Sequence, residues 1–151
     1  MEAERLSHAL TGFPAAASRF VSALEANRHR IARDAGVTGS ELRAFFHIAR
    51  VVSITPKNLA AHLGMTTGAV TAISRGLVES DLVHRVDHPG DRRSLYLELT
   101  PRGHEVMRSL HHDFDEMLAA STNSLTPVQL DAFTSALLSV SGEVRERLER
   151  A

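Results

Sequence analysis

The sequence predicts a mainly α-helical protein with one short β-hairpin. Apolar residues recur at helical spacing along most of the chain, as in residues 13–31. Thr-Pro pairs, which supply an N-cap followed by a proline in the first helical turn, occur at Thr55, Thr100 and Thr126. Residues 94–99 instead alternate polar and apolar side chains after a Pro-Gly turn, which is typical of a hairpin.

Glycine and threonine mark the limits of the first two helices. The first is expected over residues 13–33, and Gly36 closes it because glycine readily adopts a left-handed backbone. Thr38 and Glu41 are spaced as a capping box. That box predicts a second helix, which continues to about residue 51.

The Thr-Pro pairs and one further threonine open the remaining helices. Gly64 is expected to stop the helix that follows Thr55, and Thr66 or Thr67 to cap the next one. The predicted elements are helices over residues 56–63, 67–81, 101–122 and 127–148 and strands over residues 82–87 and 94–99.

The composition is that of a soluble globular protein. Hydrophobic residues make up 43% of the 151 residues and charged residues 23%, both ordinary values for a folded domain. The absence of cysteine excludes disulfides, thiolate metal sites and thiol redox sensing. No run of about 18 apolar residues could span a membrane, and the acidic N-terminus lacks the apolar core of a secretory signal. We therefore expect a cytoplasmic protein that does not engage a membrane.

Charge is unevenly distributed although the net charge is only −1. Residues 50–102 contain seven Lys/Arg against five Asp/Glu, whereas residues 103–151 contain four arginines against eight acids. A mildly basic middle is compatible with a surface that faces DNA, but the asymmetry is too small to establish one.

Residues 59–70, LAAHLGMTTGAV, have the pattern of a helix-turn-helix. Gly64 permits a sharp turn, and Val70, Ile73 and Leu77 form the buried stripe of the second helix. An ordinary helical hairpin would share this turn, so the pattern alone leaves both interpretations open. The opposite face is small and polar, as a helix in a major groove requires. Its expected DNA-contacting residues are Thr66, Thr67, Gly68, Thr71, Ser74 and Arg75.

The hairpin directly after these helices has the form of a wing. The three leucines of residues 95–99 are expected to face the core, whereas Tyr96 and Glu98 face outward. Arg92 and Arg93 project from the tight tip, a shape suited to the minor groove of DNA. The alternative is that the two arginines keep an edge strand soluble.

Together these features resemble the winged helix of the MarR family of bacterial transcription regulators over about residues 55–103. The family's wing reads D-x-R, then alternating apolar residues, then L-T-x-x-G, and this chain has the whole pattern. The flanking helices agree in number and order, so the resemblance covers nearly the whole chain. It rests on the LAxxLG turn, Leu77, Leu82-Val83, Arg85, Asp91-Arg92-Arg93, Leu95, Leu97, Leu99, Thr100 and Gly103.

The resemblance implies a winged helix-turn-helix fold with long terminal dimerisation helices. It implies that Arg93 enters the minor groove, that Asp91 orients it, and that residues 67–75 read the major groove. Two positions depart from the family. Asp81 stands where a glycine is usual and would have to adopt the left-handed conformation. Gly76 stands where a basic or polar residue is common, which puts one phosphate contact in doubt.

We expect residues 1–151 to form a single domain with two kinds of sub-region. Residues 38–100 would be the DNA-binding lobe, and residues 1–37 and 101–151 a helical dimerisation region. By the resemblance these helices form a homodimer, whose two-fold symmetry suits a palindromic operator. The alternative is that the last two helices only pack on each other within one chain. Their apolar stripes are Met107, Leu110, Phe114 and Met117, and Leu130, Phe133, Leu137, Val140 and Val144.

The resemblance also implies a repressor released by a small aromatic or anionic effector. The candidate effector-binding residues are Phe20, Phe45, Phe46 and His47, although a phenylalanine pair is also ordinary core.

Two alternative functions follow from other features of the chain. The pairs His111–Asp115 and His112–Glu116 could share a zinc ion, although they are also ordinary on a solvated helix face. A winged helix can also serve protein contacts without binding DNA. The sequence has no phosphate-binding loop, nucleophile elbow or paired-histidine metal motif, so we expect neither an enzyme nor a cofactor.

Overall fold

The computed structural model describes residues 9–87, 89–90 and 94–150. Within these ranges the chain is mainly helical and has one small antiparallel sheet, as the sequence predicts. Every predicted helix and strand is present, and each boundary agrees to within two residues. The elements are α1 Gly12–Asp34, α2 Gly39–Val51, β1 Ser53–Ile54, α3 Pro56–Leu63, α4 Thr67–Glu79, β2 Val83–Asp87, β3 Leu95–Leu99, α5 Pro101–Ser121 and α6 Pro127–Glu149.

Threonine side chains begin five of these helices in the same way. A threonine hydroxyl oxygen accepts a bond from the backbone N–H three residues later at Thr38, Thr55, Thr66, Thr100 and Thr126. Each satisfies a helical donor that would otherwise lack an intrahelical partner. The expected caps are confirmed, and Thr66 rather than Thr67 is the cap of α4.

Three helices end in the same hydrogen-bonded turn, which needs a left-handed backbone at one residue. Gly36 and Gly64 fill that place after α1 and α3, with φ values of 67° and 64°. Asp81 fills it after α4 with φ of 56°, and the N–H of Leu82 donates to the carbonyl of Leu77 at 3.0 Å. The predicted turns at Gly36, Gly64 and Asp81 are therefore confirmed.

Replacing Asp81 with glycine is expected to stabilise the protein by about 0.5–1 kcal/mol. A left-handed backbone is costly for residues with a side chain and nearly free for glycine. This gain in the folded state outweighs the greater conformational entropy that glycine has in the unfolded chain. Ser80→Gly is the control, because Ser80 has φ of −82° and ψ of 2° and gains nothing from glycine. Urea unfolding of both variants should show Asp81→Gly above the parent and Ser80→Gly below it; the reverse order would contradict the strain argument.

The sheet has three strands in the order β1-β3-β2, and all pairings are antiparallel. The prediction of two strands was incomplete, because β1 was not foreseen. Two residues are too few to show an alternating pattern, and β1 exists because Ser53 and Ile54 pair with Glu98 and Leu97 far along the chain. Strand β1 pairs with the side of β3 that β2 leaves open, so β3 is the central strand and β1 and β2 are the edges of this sheet.

The core of the winged-helix region lies where α2, α3 and α4 meet the sheet. Val70, Ile73 and Leu77 form the buried stripe of α4, as predicted, and Leu59 and Leu63 bury the inner side of α3. Burial of such side chains contributes about 1.5–3 kcal/mol each. The largest fully buried side chains are Phe45, Ile48, Leu59, Leu77, Leu97, Val70 and Val83.

The prediction that three leucines of β3 face this core is wrong for Leu95. Leu97 and Leu99 are buried, but Leu95 is 39% exposed. Leu95 pairs with Asp87, the residue pair nearest to the hairpin turn. Alternation puts Leu95 on the same side of the strand as Leu97 and Leu99. The core does not extend along the hairpin as far as Leu95, so this side chain remains exposed.

The chain divides into an N-terminal unit that ends at Met107 and a C-terminal unit that begins at Arg108. Long helices in both units leave large apolar side chains exposed to solvent. In α1 only Ile31 and Ala32 are buried, and in α6 no residue is. No helix in the described part of the chain is both long and apolar enough to cross a membrane. The exposed apolar side chains of α1 and α6 include Phe13, Phe20, Val21, Leu130, Phe133, Leu137, Val140 and Val144.

Candidate nucleic-acid interface

Helix α4 presents a small, polar surface opposite its buried stripe. Thr67, Gly68, Thr71 and Arg75 are all exposed. The Thr71 hydroxyl donates to the carbonyl of Thr67 at 2.9 Å, which orients its oxygen while leaving that oxygen free to accept. The side chains of Thr67, Gly68 and Thr71 are short, so the helix axis could lie close to a flat partner such as a base-pair edge. Thr66, which caps the helix, lies at its first turn.

The placement of Ser74 on this polar face is wrong. Ser74 is only 2% exposed, and its hydroxyl donates to the carbonyl of Val70 at 2.7 Å. Position 74 lies four residues after Val70 and three before Leu77, which puts all three on one helix face. A serine can occupy this buried face because its hydroxyl finds a backbone partner within the same helix. Ser74 therefore supports the packing of α4 and is not available to a base.

Gly76, the second departure from the resembled family, has a packing role. A Cβ atom at this position would overlap the Glu41 carboxylate. The same carboxylate accepts a bond from the N–H of Thr38 at 2.7 Å and so completes the capping box of α2. Glycine at 76 thus lets the capped start of α2 lie directly against α4. The expected cost of a glycine inside the helix is partly offset by this contact.

β2 and β3 form the base of the wing, and the structure also describes the turn residues Pro89 and Gly90. β2 and β3 pair in register from Val83 with Leu99 to Asp87 with Leu95. The predicted minor-groove residues Arg92 and Arg93, and Asp91, which is expected to orient Arg93, lie outside the described residues. Arg85 on β2 is exposed and provides a positive charge at the described base of the wing.

In addition to the helix cap that the Thr100-Pro101 pair predicts, the sequence motif L-T-x-x-G has a structural role that sequence reasoning did not identify. The Thr100 hydroxyl accepts from the N–H of Gly103 at 2.9 Å and donates to the carbonyl of Asp81 at 2.6 Å. The N–H of Thr100 donates to the carbonyl of Leu82 at 3.1 Å. Gly103 is buried so closely against Leu82 that a Cβ atom would overlap its carbonyl oxygen. This contact joins the start of α5 to the turn between α4 and β2.

The four candidate effector-binding residues have different surroundings. Phe45 is fully buried in the core and Phe46 half-buried, with their ring centroids 6.5 Å apart. Phe20 on α1 is 38% exposed. His47 is buried and stacks on His62, with ring centroids 3.4 Å apart and planes 10° apart. Phe45 is therefore primarily a core residue, whereas the other three side chains reach or approach the surface.

His47 is held in its neutral form. Burial is the largest cause that lowers the pKa of His47, and the nearby His62 and Arg50 lower it further. The Arg50 guanidinium lies 3.1 Å from Nδ1 of His47. Because arginine can only donate, this ring nitrogen accepts and the proton belongs on Nε2.

Acidification is expected to destabilise the protein through His47. Because the pKa of His47 is lowered in the folded state, the unfolded chain takes up a proton first as the pH falls below about 6.5. The contribution of neutral His47 to stability is therefore fully present above that pH. It is lost progressively as the pH falls from there to the lowered pKa of His47 in the folded state. Urea unfolding over the range from about pH 7.5 to 5 should show a smaller loss for His47→Gln than for the parent.

The control for this prediction is His104→Gln, which removes an exposed histidine of α5. It should retain the pH dependence of the parent. An unchanged pH dependence in His47→Gln would show that the buried imidazole does not resist protonation.

His112 of α5 forms an ordinary surface pair with Glu116. Nε2 of His112 lies 3.4 Å from the Glu116 carboxylate, and both side chains are exposed. No group of three or more His, Cys, Asp or Glu side chains suited to a metal ion occurs among the described residues. The zinc-responsive alternative therefore has no structural feature in its favour there.

Comparison with known proteins places this arrangement among the MarR-type winged helices. The MarR family model matches residues 35–94, from the residue after α1 to the residue before β3. The chain is 28% identical to the transcriptional repressor MprA of Escherichia coli K12 over 123 residues, which cover 78% of this chain and 70% of MprA.

Solved structures with the same fold cover almost the whole chain. One is RV1404 from Mycobacterium tuberculosis, with a TM-score of 0.74 and 23% identity over 91% of this chain and 97% of that one. Another is a mutant of S. aureus MepR bound to an oligodeoxyribonucleotide, with a TM-score of 0.68 and 15% identity over 89% and 99%. At these identities the likeness establishes the winged-helix fold, which confirms the predicted fold class.

Proposed function

We propose that this chain, which is similar to transcriptional regulators of the MarR family, is a repressor that binds a palindromic operator as a homodimer. The observation that carries the proposal is the exposed face of α4, where Thr67, Gly68, Thr71 and Arg75 stand opposite a fully packed stripe. A helix anchored on one side and polar on the other is suited to insertion into a major groove. A wing follows it directly, and its base is held by Thr100.

The two DNA-contacting elements have different roles in this proposal. Arg75 is the long cationic side chain of the α4 face, able to reach a guanine edge or a phosphate, while Thr71 contacts a base directly. Thr66, Thr67 and Gly68 bring the first turn of α4 close to the phosphate backbone. By family resemblance Arg93 of the wing contacts the minor groove and Asp91 orients it, and the neighbouring Arg92 adds a second positive charge there.

Exposed apolar side chains on α6 support the homodimer. Phe133, Leu137, Val140 and Val144 recur at helical spacing, and each is more than 40% exposed. A stripe of this kind is unfavourable in water, and a second copy of the chain would cover it. Two copies also bring two recognition helices to half-sites about one helical turn of DNA apart.

Release by a small aromatic or anionic effector is the second part of the proposal. Phe20 offers an exposed ring, Phe46 a half-buried one, and His47 lies beside the Arg50 cation. An aromatic acid would use the rings for its apolar part and the cation for its carboxylate. Such a ligand would act by favouring one arrangement of the DNA-binding regions over another.

The proposal is tested by selecting duplexes from a random library with the parent protein and then measuring Arg75→Ala. The variant is expected to lose about 1–3 kcal/mol of affinity for the selected operator and less for random DNA. Arg147→Ala, which removes an exposed arginine near the end of α6, controls for the loss of one positive charge.

Two results would contradict this assignment. If the parent enriches no sequence, and its DNA affinity lacks a steep salt dependence, it is not a sequence-specific DNA-binding protein. If Arg75→Ala and Arg147→Ala reduce both affinities equally, α4 does not read the bases.

A further inference from the structure

One buried hydroxyl connects two segments that are far apart in the sequence. Thr100 lies between the end of β3 and the start of α5, and its hydroxyl donates to the carbonyl of Asp81. Its backbone N–H donates to the carbonyl of Leu82, and its hydroxyl oxygen accepts from the N–H of Gly103. We call these four residues, Asp81, Leu82, Thr100 and Gly103, the Thr100 junction.

Thr100 differs from the other threonine caps in its surroundings. The caps at Thr38, Thr55, Thr66 and Thr126 bond within their own helix at exposed positions. Thr100 is only 7% exposed, and its hydroxyl uses its proton on a second segment of the chain. Removal of a buried hydroxyl leaves its partners without a substitute from water, so the loss is larger than at an exposed cap.

The junction lies where both proposed DNA-contacting elements begin or end. Asp81 closes the last turn of α4, and Leu82 directly precedes β2. Thr100 follows β3, which carries the other side of the wing. Three hydrogen bonds therefore fix the end of α4 to both strands of the wing and to the first turn of α5.

We propose that the Thr100 hydroxyl is a positioning group for sequence recognition, which holds α4 and the wing in one fixed relation. This inference rests on the proposed DNA-binding function. Base contacts in the two grooves must be made together and tolerate little misalignment, whereas phosphate contacts are less demanding. Loss of the hydroxyl should therefore reduce operator affinity more than affinity for random DNA.

The test compares Thr100→Val, which keeps the shape and removes the hydroxyl, with Thr100→Ser, which keeps the hydroxyl. Both are measured where circular dichroism shows the variant to be folded, on the operator selected by the parent and on a random duplex. Thr100→Val should lower the ratio of operator to random affinity roughly tenfold, which corresponds to one lost specific contact, and Thr100→Ser should restore it to within about threefold.

Thr38→Val is the matched control, because it removes an exposed threonine cap of the same kind from α2. It should lower the melting temperature and leave the affinity ratio unchanged. An unchanged ratio in folded Thr100→Val, or an equal fall in Thr38→Val, would overturn the proposal.

Amide hydrogen exchange without DNA tests the junction separately from DNA binding. Thr100→Val should exchange faster than the parent at Asp81, Leu82 and Gly103, and Thr38→Val should not. If exchange behaves in this way but the parent selects no operator, the junction exists and the proposed function has failed. If exchange at these amides does not change, the Thr100 hydroxyl does not hold the junction, whatever the DNA results.

Discussion

Gly103→Ala is expected to destabilise the N-terminal unit by about 3 kcal/mol, the largest effect that we predict for a single methyl group in this chain. The added Cβ atom would overlap the carbonyl oxygen of Leu82, and Leu99 closes the other side. The carbonyl of Leu82 cannot turn away easily, because it accepts the N–H of Thr100. Such a loss is a large part of the stability of an ordinary domain. Urea unfolding followed by circular dichroism measures it directly.

Gly39→Ala is the control for this prediction. Gly39 begins α2 in an ordinary helical conformation, and a Cβ atom there meets nothing within 4 Å. This variant should change stability by no more than about 0.5 kcal/mol. Equal effects of the two substitutions would show that the space beside Gly103 is not closed.

Local signals in the sequence determine the helices of this protein. Threonine caps, a capping box and glycine turns act close to each helix end, so the limits of every helix were predicted closely. The left-handed turn at Asp81 was predicted from the family resemblance, because a glycine is usual at that position. Burial of Val70, Ile73 and Leu77 follows from helical periodicity alone.

The wrong predictions arose where distant parts of the chain decide the outcome. The strand at Ser53–Ile54 depends on pairing with β3, and the exposure of Leu95 depends on where the core ends. Ser74 is a different case. Its spacing from Val70 and Leu77 indicates the buried face, but its small polar side chain led to its placement on the exposed face.

The candidate site was therefore predicted in part. The exposed α4 residues Thr67, Gly68, Thr71 and Arg75 are where the sequence placed them. The role of Thr100 could not be derived from spacing, because its hydroxyl bonds Asp81, 19 positions away. No periodic pattern reports such a contact, and the Thr100-Pro101 pair predicted only the cap of α5.

Phe133→Glu is expected to separate the proposed dimer and to abolish tight operator binding. Phe133 lies in the α6 stripe and is 46% exposed in the single chain. In a dimer that covers this stripe, an unpaired carboxylate would cost several kcal/mol. In the single chain the same carboxylate would remain in contact with water and cost little, so α6 should stay helical. Light scattering should then report the mass of one chain.

Val128→Glu adds the same charge on another face of α6. Val128 is 78% exposed and lies about 140° around the helix from Phe133. It should leave the dimer and operator binding intact. Separated Phe133→Glu chains would still offer one recognition helix and one wing each, so binding to random DNA should persist more weakly while the advantage of two half-sites disappears. A Phe133→Glu protein that remains a dimer and binds the operator tightly would place the interface elsewhere, and a Val128→Glu protein that dissociates would place it around the other face of the helix.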